Sequence, residues 1–149
     1  MNANPGCIIV RRAASADAAA IAVLCGQLGY PSTAADVERR LAEAVRERDA
    51  AVFVAESTSD GMIGWVHVRA LHLLTRDACA EIGGLVVEQT RRGRGIGRRL
   101  MAAAEDWARQ QELGALRLRS DAIRDEAHAF YRGLGYTTSK TSLLFTKTL

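Results

Sequence analysis

The feature that most limits what this chain can become is the run Arg92-Gly93-Arg94-Gly95-Ile96-Gly97, which follows the strand-like stretch Ala80–Val87 after a short polar break. Glycine at every second position permits a tight turn and lets backbone approach a ligand closely. Ile96, Leu100, Ala103, Ala104 and Trp107 then recur at helical spacing, so a long helix opens out of this turn. The first N–H groups of a helix have no intrahelical partner, and the dipole adds partial positive charge there. Strand, glycine turn and helix start together make an anion cradle suited to a diphosphate. Arg91, Arg92, Arg94, Arg98 and Arg99 add a field that favours a polyanion.

The rest of the chain alternates the same two kinds of element. Cys7–Ala13 reads as a strand. Ser15 is placed to cap a helix carrying Ile21, Leu24, Cys25 and Leu28 on one face, and Gly29-Tyr30-Pro31 stops it. Thr33 is placed to cap a second helix, with Val37, Leu41, Ala44 and Val45 as its apolar side. Ala51–Glu56 and Met62–Leu71 read as a hairpin around Thr58–Gly61. Leu116–Arg119 is a strand, Glu126–Leu134 a helix and Ser142–Lys147 a final strand. Interleaved strands and helices predict an α/β or α+β fold with a mixed sheet. The 149 residues suit a single domain spanning 1–149.

Composition excludes several classes. Hydrophobic residues are 48% and charged residues 25%, which does not describe a disordered chain. No apolar run approaches the roughly 20 residues of a membrane helix, and Cys7–Val10 is too short for a signal peptide. Cys7, Cys25 and Cys79 have no metal spacing and read as thiols in a reducing cytoplasm. Three isolated histidines give no metal site. A net charge of +3 is too mild to imply nucleic acid, and no aromatic residue lies between Glu81 and Arg99.

The glycine turn matches neither common nucleotide loop. No Gly-x-x-x-x-Gly-Lys-Ser/Thr run exists, and the third glycine comes one residue early for a dinucleotide fingerprint. The arrangement instead resembles the GNAT superfamily of N-acetyltransferases, whose acyl-CoA signature Gln/Arg-x-x-Gly-x-Gly/Ala is met by Arg92, Gly95 and Gly97. Glu81-Ile82-Gly83-Gly84-Leu85-Val86-Val87 is similar to the family's fourth strand. Ala127–Tyr136 is similar to its late helix and exit turn. The resemblance implies a mostly antiparallel, twisted, mixed sheet with about four helices on both faces. It also implies acetyl transfer from acetyl-CoA to a primary amine by direct attack on the thioester.

Residue roles follow from the resemblance. Leu85, Val86 and Val87 would pair with pantetheine amides like an added strand. Arg92, Gly93, Arg94, Gly95, Ile96, Gly97 and Arg98 would hold the diphosphate, although Arg98 and Arg99 also suit a solvated helix face. Many relatives carry a pantetheine-touching asparagine shortly after the fifth strand, and here Ser120 or Asp121 would take that place. Phe130 shares a stripe with Ala127 and Leu134 and takes the core, which frees Tyr131 toward the cleft. The resemblance implies that Tyr131 stands at the family's general-acid position. Glu81 is the candidate base, with water, His67, His72 and His128 as alternatives. Gly83-Gly84 reads either as a bulge admitting the pantetheine or as room for a neighbouring side chain. Tyr30 and Trp65 offer aromatic faces to a cationic acceptor. The expected partners are acetyl-CoA and an amine, with no nucleic acid and no membrane; a homodimer stays open. Two rivals remain: an acyl-CoA-binding module without turnover, and a basic RNA-associated protein.

Overall fold

In the computed structural model the described residues are 6–149, and they gather into two compact units, one ending at Leu118 and one over Arg119–Leu149. Met1–Pro5 lie outside the described residues.

The first unit is built on a five-stranded sheet in the order β1-β2-β3-β4-β5. The strands are β1 (Ile8–Arg12), β2 (Ala50–Ser57), β3 (Gly61–Leu73), β4 (Arg76–Val87) and β5 (Leu116–Arg117). The first three pairings are antiparallel and the last, β4 with β5, is parallel. Three helices accompany them: α1 (Ala18–Leu28), α2 (Ala34–Arg46) and α3 (Ile96–Gln110). This is the mixed, mostly antiparallel architecture expected, with one short parallel step of β5 against the middle of β4.

Each sheet face has its own packing. Val54, Trp65 and Val86 share a core with Ala18, Ile21, Leu24, Val37 and Leu41 of α1 and α2. Gly64 lets α3 approach the opposite face: a β-carbon there would stand 3.0 Å from Leu100 Cδ1 and 2.8 Å from the Val86 carbonyl. The buried stripe of α3 is Ile96, Leu100, Met101, Ala104, Trp107 and Ala108. Ile96, Leu100 and Met101 are fully buried and each contributes about 1.5–3 kcal/mol.

Several local expectations are corrected. Ser15 does not cap α1; a 3-10 turn over Ser15–Asp17 comes first, and the Asp17 carboxylate accepts from the Ala14 N–H at 2.7 Å. The same carboxylate takes the Arg11 guanidinium at 2.8 and 2.9 Å, so one acid closes the turn and ties it to β1. Thr33 caps α2 as expected, in a reciprocal box with Asp36. Val45 is 63% exposed and lies off the buried side of α2. Strand β4 begins at Arg76 because the β3–β4 ladder runs on to a tight turn.

The second unit carries α4 (Asp125–Gly133). None of its residues is fully buried, so Phe130 is half-buried and not a core residue. Ser142–Lys147 forms no strand: Leu143, Leu144 and Phe145 are 80–87% exposed. The consecutive apolar residues Leu143, Leu144 and Phe145 raise strand propensity, but among the described residues no neighbouring strand supplies the ladder hydrogen bonds that propensity needs.

Candidate active site

Strands β4 and β5 pair only at Ala80–Leu116 and Glu81–Arg117, and then part. Ile82–Val87 continue with β3 on one side and, among the described residues, no strand on the other. The Glu88 N–H donates to the Ile63 carbonyl at 2.8 Å, which sets the alternation of the antiparallel ladder. Gly84 and Val86 therefore bond to β3, while Leu85 and Val87 turn their amides and carbonyls outward. One outward group is already taken. Arg92 Nε donates to the Val87 carbonyl at 3.1 Å, fastening the glycine turn to the end of the strand.

That turn has the conformation only glycine adopts easily. Gly93 and Gly95 lie at φ +75° and +78°, and Gly95 is the N-cap of α3. An added β-carbon at either would meet nothing within 4 Å, so there is open space beside both glycines. The first intrahelical bond runs from the Arg99 N–H to the Gly95 carbonyl, leaving the Gly97 and Arg98 amides ahead of it. Arg94 and Arg98 are exposed, whereas Arg91 is paired with Asp60.

The two readings of Gly83-Gly84 both apply. The register shifts between His67 and Val68: Gly84 opposes His67, Ile82 opposes Val68, and Gly83 is the extra residue of a bulge. The glycines also make room. A β-carbon on Gly83 would stand 2.6 Å from His67 Nδ1, and one on Gly84 would stand 2.8 Å from Trp65 Cη2.

Glu81 sits where the strands part and is buried at 7% exposure. Arg69 Nη2 donates to its Oε1 at 3.0 Å, and Arg117 Nε donates to its Oε2 at 2.7 Å. Burial alone would raise its pKa, but these two guanidinium groups outweigh that and hold it below the usual carboxylate range. The sequence reading missed both arginines. The signal was present: Arg69 alternates with His67 and Trp65 on one face of β3 and stands directly opposite Glu81. Trp65 is 8% exposed and belongs to the core, with a buried Nε1 that has no partner among the described residues. It presents no face to an acceptor. Tyr30, in contrast, is 64% exposed after the end of α1.

In the second unit Tyr131 is half-buried and packs edge-on against Phe130 at 5.1 Å and Tyr136 at 6.1 Å. Burial pushes its phenol above the ordinary tyrosine value, with Arg124 opposing. His128 Nε2 donates to the Asp121 carbonyl at 2.9 Å, which ties the loop to α4. The Asp121 carboxylate is exposed, 3.7 Å from Arg124 Nε.

The sequence model of the acetyltransferase (GNAT) family matches residues 16–136, most of the chain. The chain belongs to the GNAT acetyltransferase family. It is also 32% identical over 142 residues to an aminoglycoside N(6′)-acetyltransferase type 1 of Stenotrophomonas maltophilia, covering 91% of this chain and 90% of that protein. The acetyltransferase thus transfers acetyl groups to an amine. Solved structures share its fold. An aminoglycoside N-acetyltransferase in complex with CoA superposes with a TM-score of 0.86 at 15% identity, covering 100% of both chains. An aminoglycoside antibiotic 6′-N-acetyltransferase from Acinetobacter baumannii gives 0.82 at 16% identity, covering 96% of this chain and 99% of that one. No helix among the described residues of the acetyltransferase is long and apolar enough to cross a membrane.

Proposed function

We propose that acetyl-CoA lies along the open side of β4, with its pantetheine amides on Leu85 and Val87 and its diphosphate in the Gly93–Gly97 turn. The observation that carries this reading is the parting of β4 from β5 after Glu81, with the glycine turn following at the end of β4. A strand left without a neighbour has backbone groups to give to an extended amide ligand. The free amides at the start of α3, with Arg94 and Arg98, suit a diphosphate. Val86 contributes by burying its side chain beneath this edge, Arg92 by holding the turn to the strand, and Ile96 by anchoring the helix start. Asp121 is proposed to face the pantetheine.

The amine attacks the thioester carbonyl directly. An amide of the β4 bulge is proposed to donate to the developing oxyanion, an interaction typically worth about 3–4 kcal/mol in the transition state. Tyr131 is proposed to protonate the leaving thiolate. Burial keeps its phenol protonated at neutral pH, as a proton donor must be. The double guanidinium embrace of Glu81 favours an ionised anchor at the base of the splay over a proton acceptor.

For the acceptor, the first candidate is the 6′-amine of an amino sugar, the substrate named for the relative at 32% identity. Tyr30 offers it an aromatic face. The test is release of CoA thiol with kanamycin, spermidine and a lysine peptide as separate acceptors, beside direct titration with acetyl-CoA. Kanamycin is expected to turn over fastest. Acetyl-CoA binding with no turnover of any amine supports a binding module; absence of acetyl-CoA binding overturns the site.

A further inference from the structure

An attacking amine arrives at neutral pH as an ammonium ion and must lose a proton before its lone pair can form a bond. Glu81 is on the right face but poorly matched, since each oxygen accepts from a guanidinium and its pKa is depressed. A far weaker base than the amine takes its proton at a steep cost. His67 lies two residues from Arg69 on the same face of β3. Its ring sits over Gly83, with Nδ1 nearest, and Gly83 is the exposed extra residue of the bulge. His67 is itself half-buried and lies beside this exposed residue, next to the strand positions that leave β5. No hydrogen bond or ion pair engages its nitrogens among the described residues.

We propose that His67 is the proton acceptor for the attacking amine, acting directly or through one water. The assignment rests on acetyl-CoA lying along β4 beside the bulge. The surroundings keep the imidazole neutral and its lone pair available. Burial is the main cause, Arg69 on the same strand adds to it, and Glu47 beyond the end of α2 opposes. The neighbours contributed by β2 and β4, Val52, Gly83 and Gly84, carry no charge. The proton count closes. The ammonium gives one proton to His67, which releases it to solvent. The nitrogen lone pair forms the C–N bond, the C–S bond breaks, and the thiolate takes a proton from the proposed donor Tyr131. The remaining excess proton on nitrogen returns, through solvent, to the phenolate. The products are the amide, CoA thiol and one released proton.

The test is the pH dependence of kcat/KM for kanamycin in wild type, His67→Gln and Gly83→Ala, with acetyl-CoA affinity measured separately. His67→Gln is expected to lose about 10²–10⁴-fold in kcat/KM at unchanged acetyl-CoA affinity. Wild type should show an acid limb below pH ~6.5, because activity rises as the ring deprotonates and burial lowers that pKa. The limb should vanish in His67→Gln. Gly83→Ala should fall at least tenfold, since its β-carbon occupies the ring's place. Independently of any acceptor, ¹⁵N-histidine NMR of the acetyl-CoA complex should show a neutral His67 ring at pH 7.5. A His67→Gln enzyme within threefold of wild type with its acid limb intact overturns the proposal, as does a charged ring. Failure of acetyl-CoA to bind wild type instead overturns the placement of the donor.

Discussion

Trp65 and Gly84 meet ring to backbone: a β-carbon built on Gly84 would stand 2.8 Å from Trp65 Cη2 and 2.9 Å from Cζ3. Trp65 is itself wedged among Ile21, Leu24 and Val86, so the ring has little freedom to retreat. Gly84→Ala should overpack this layer and cost about 1–3 kcal/mol. Urea denaturation at neutral pH reads it directly; an unchanged midpoint would mean that the ring moves freely.

Acetyl-CoA should stabilise the folded protein, because the turn and the strand edge exist only in the native state. At 100 times its Kd it should add about 2.7 kcal/mol. Gly95→Val should abolish the thermal shift, since Gly95 holds φ +78° and a β-branched residue resists that conformation. Folding should survive, as the substituted side chain would point into open space.

Tyr131→Phe keeps the ring that packs on Phe130 and Tyr136 and removes only the hydroxyl. If the phenol protonates the thiolate, kcat should fall by about 10²–10⁴-fold while acetyl-CoA affinity holds. A phenol must be protonated to act, so its alkaline limb lies above the ordinary tyrosine value of about 10 and should disappear in the variant. Full kcat in Tyr131→Phe would remove the residue from the chemistry.

Glu81→Gln separates anchoring from proton transfer. It strips the charge that Arg69 and Arg117 face, and stability should drop by about 1–3 kcal/mol. The loss stays below that of a fully buried broken pair because Arg69 is half-exposed and its charge can be solvated. The acid limb of kcat/KM should persist in Glu81→Gln. Its disappearance would return Glu81 to the role of base.

Asp17→Asn should cost about 1–2 kcal/mol, through the lost closure of the turn before α1 and the lost Arg11 pair. The folded carboxyl titrates below its unfolded value, so its contribution is complete above the ordinary aspartate pKa of about 3.9 and fades as pH falls through the folded one. Wild type and Asp17→Asn should therefore differ in urea midpoint at pH 7 and converge in stronger acid.

Local chemistry was readable wherever it depends on neighbours in sequence. The Thr33 cap needs only Asp36 three residues on, and the glycine turn needs only its own backbone. What depends on partners far along the chain was less visible. Glu81 is an isolated carboxylate in sequence; its meaning changes once Arg69 and Arg117 arrive from two other strands. Trp65 looked available for recognition, yet its ring lies against Gly84 and packs with residues of two helices, which bury it. Ser142–Lys147 shows the converse, where strand-forming side chains find no partner strand.

The early parting of β4 and β5 has a consequence for handling the protein. An unpaired edge of strand accepts any extended chain of the right spacing, including that of another molecule. A co-substrate on that edge would act as a plug as well as a reactant. Preparations depleted of CoA should then cloud or associate on concentration, and adding it back should keep them clear. Light scattering with and without CoA, at matched ionic strength, would register shelf life as a by-product of catalytic geometry.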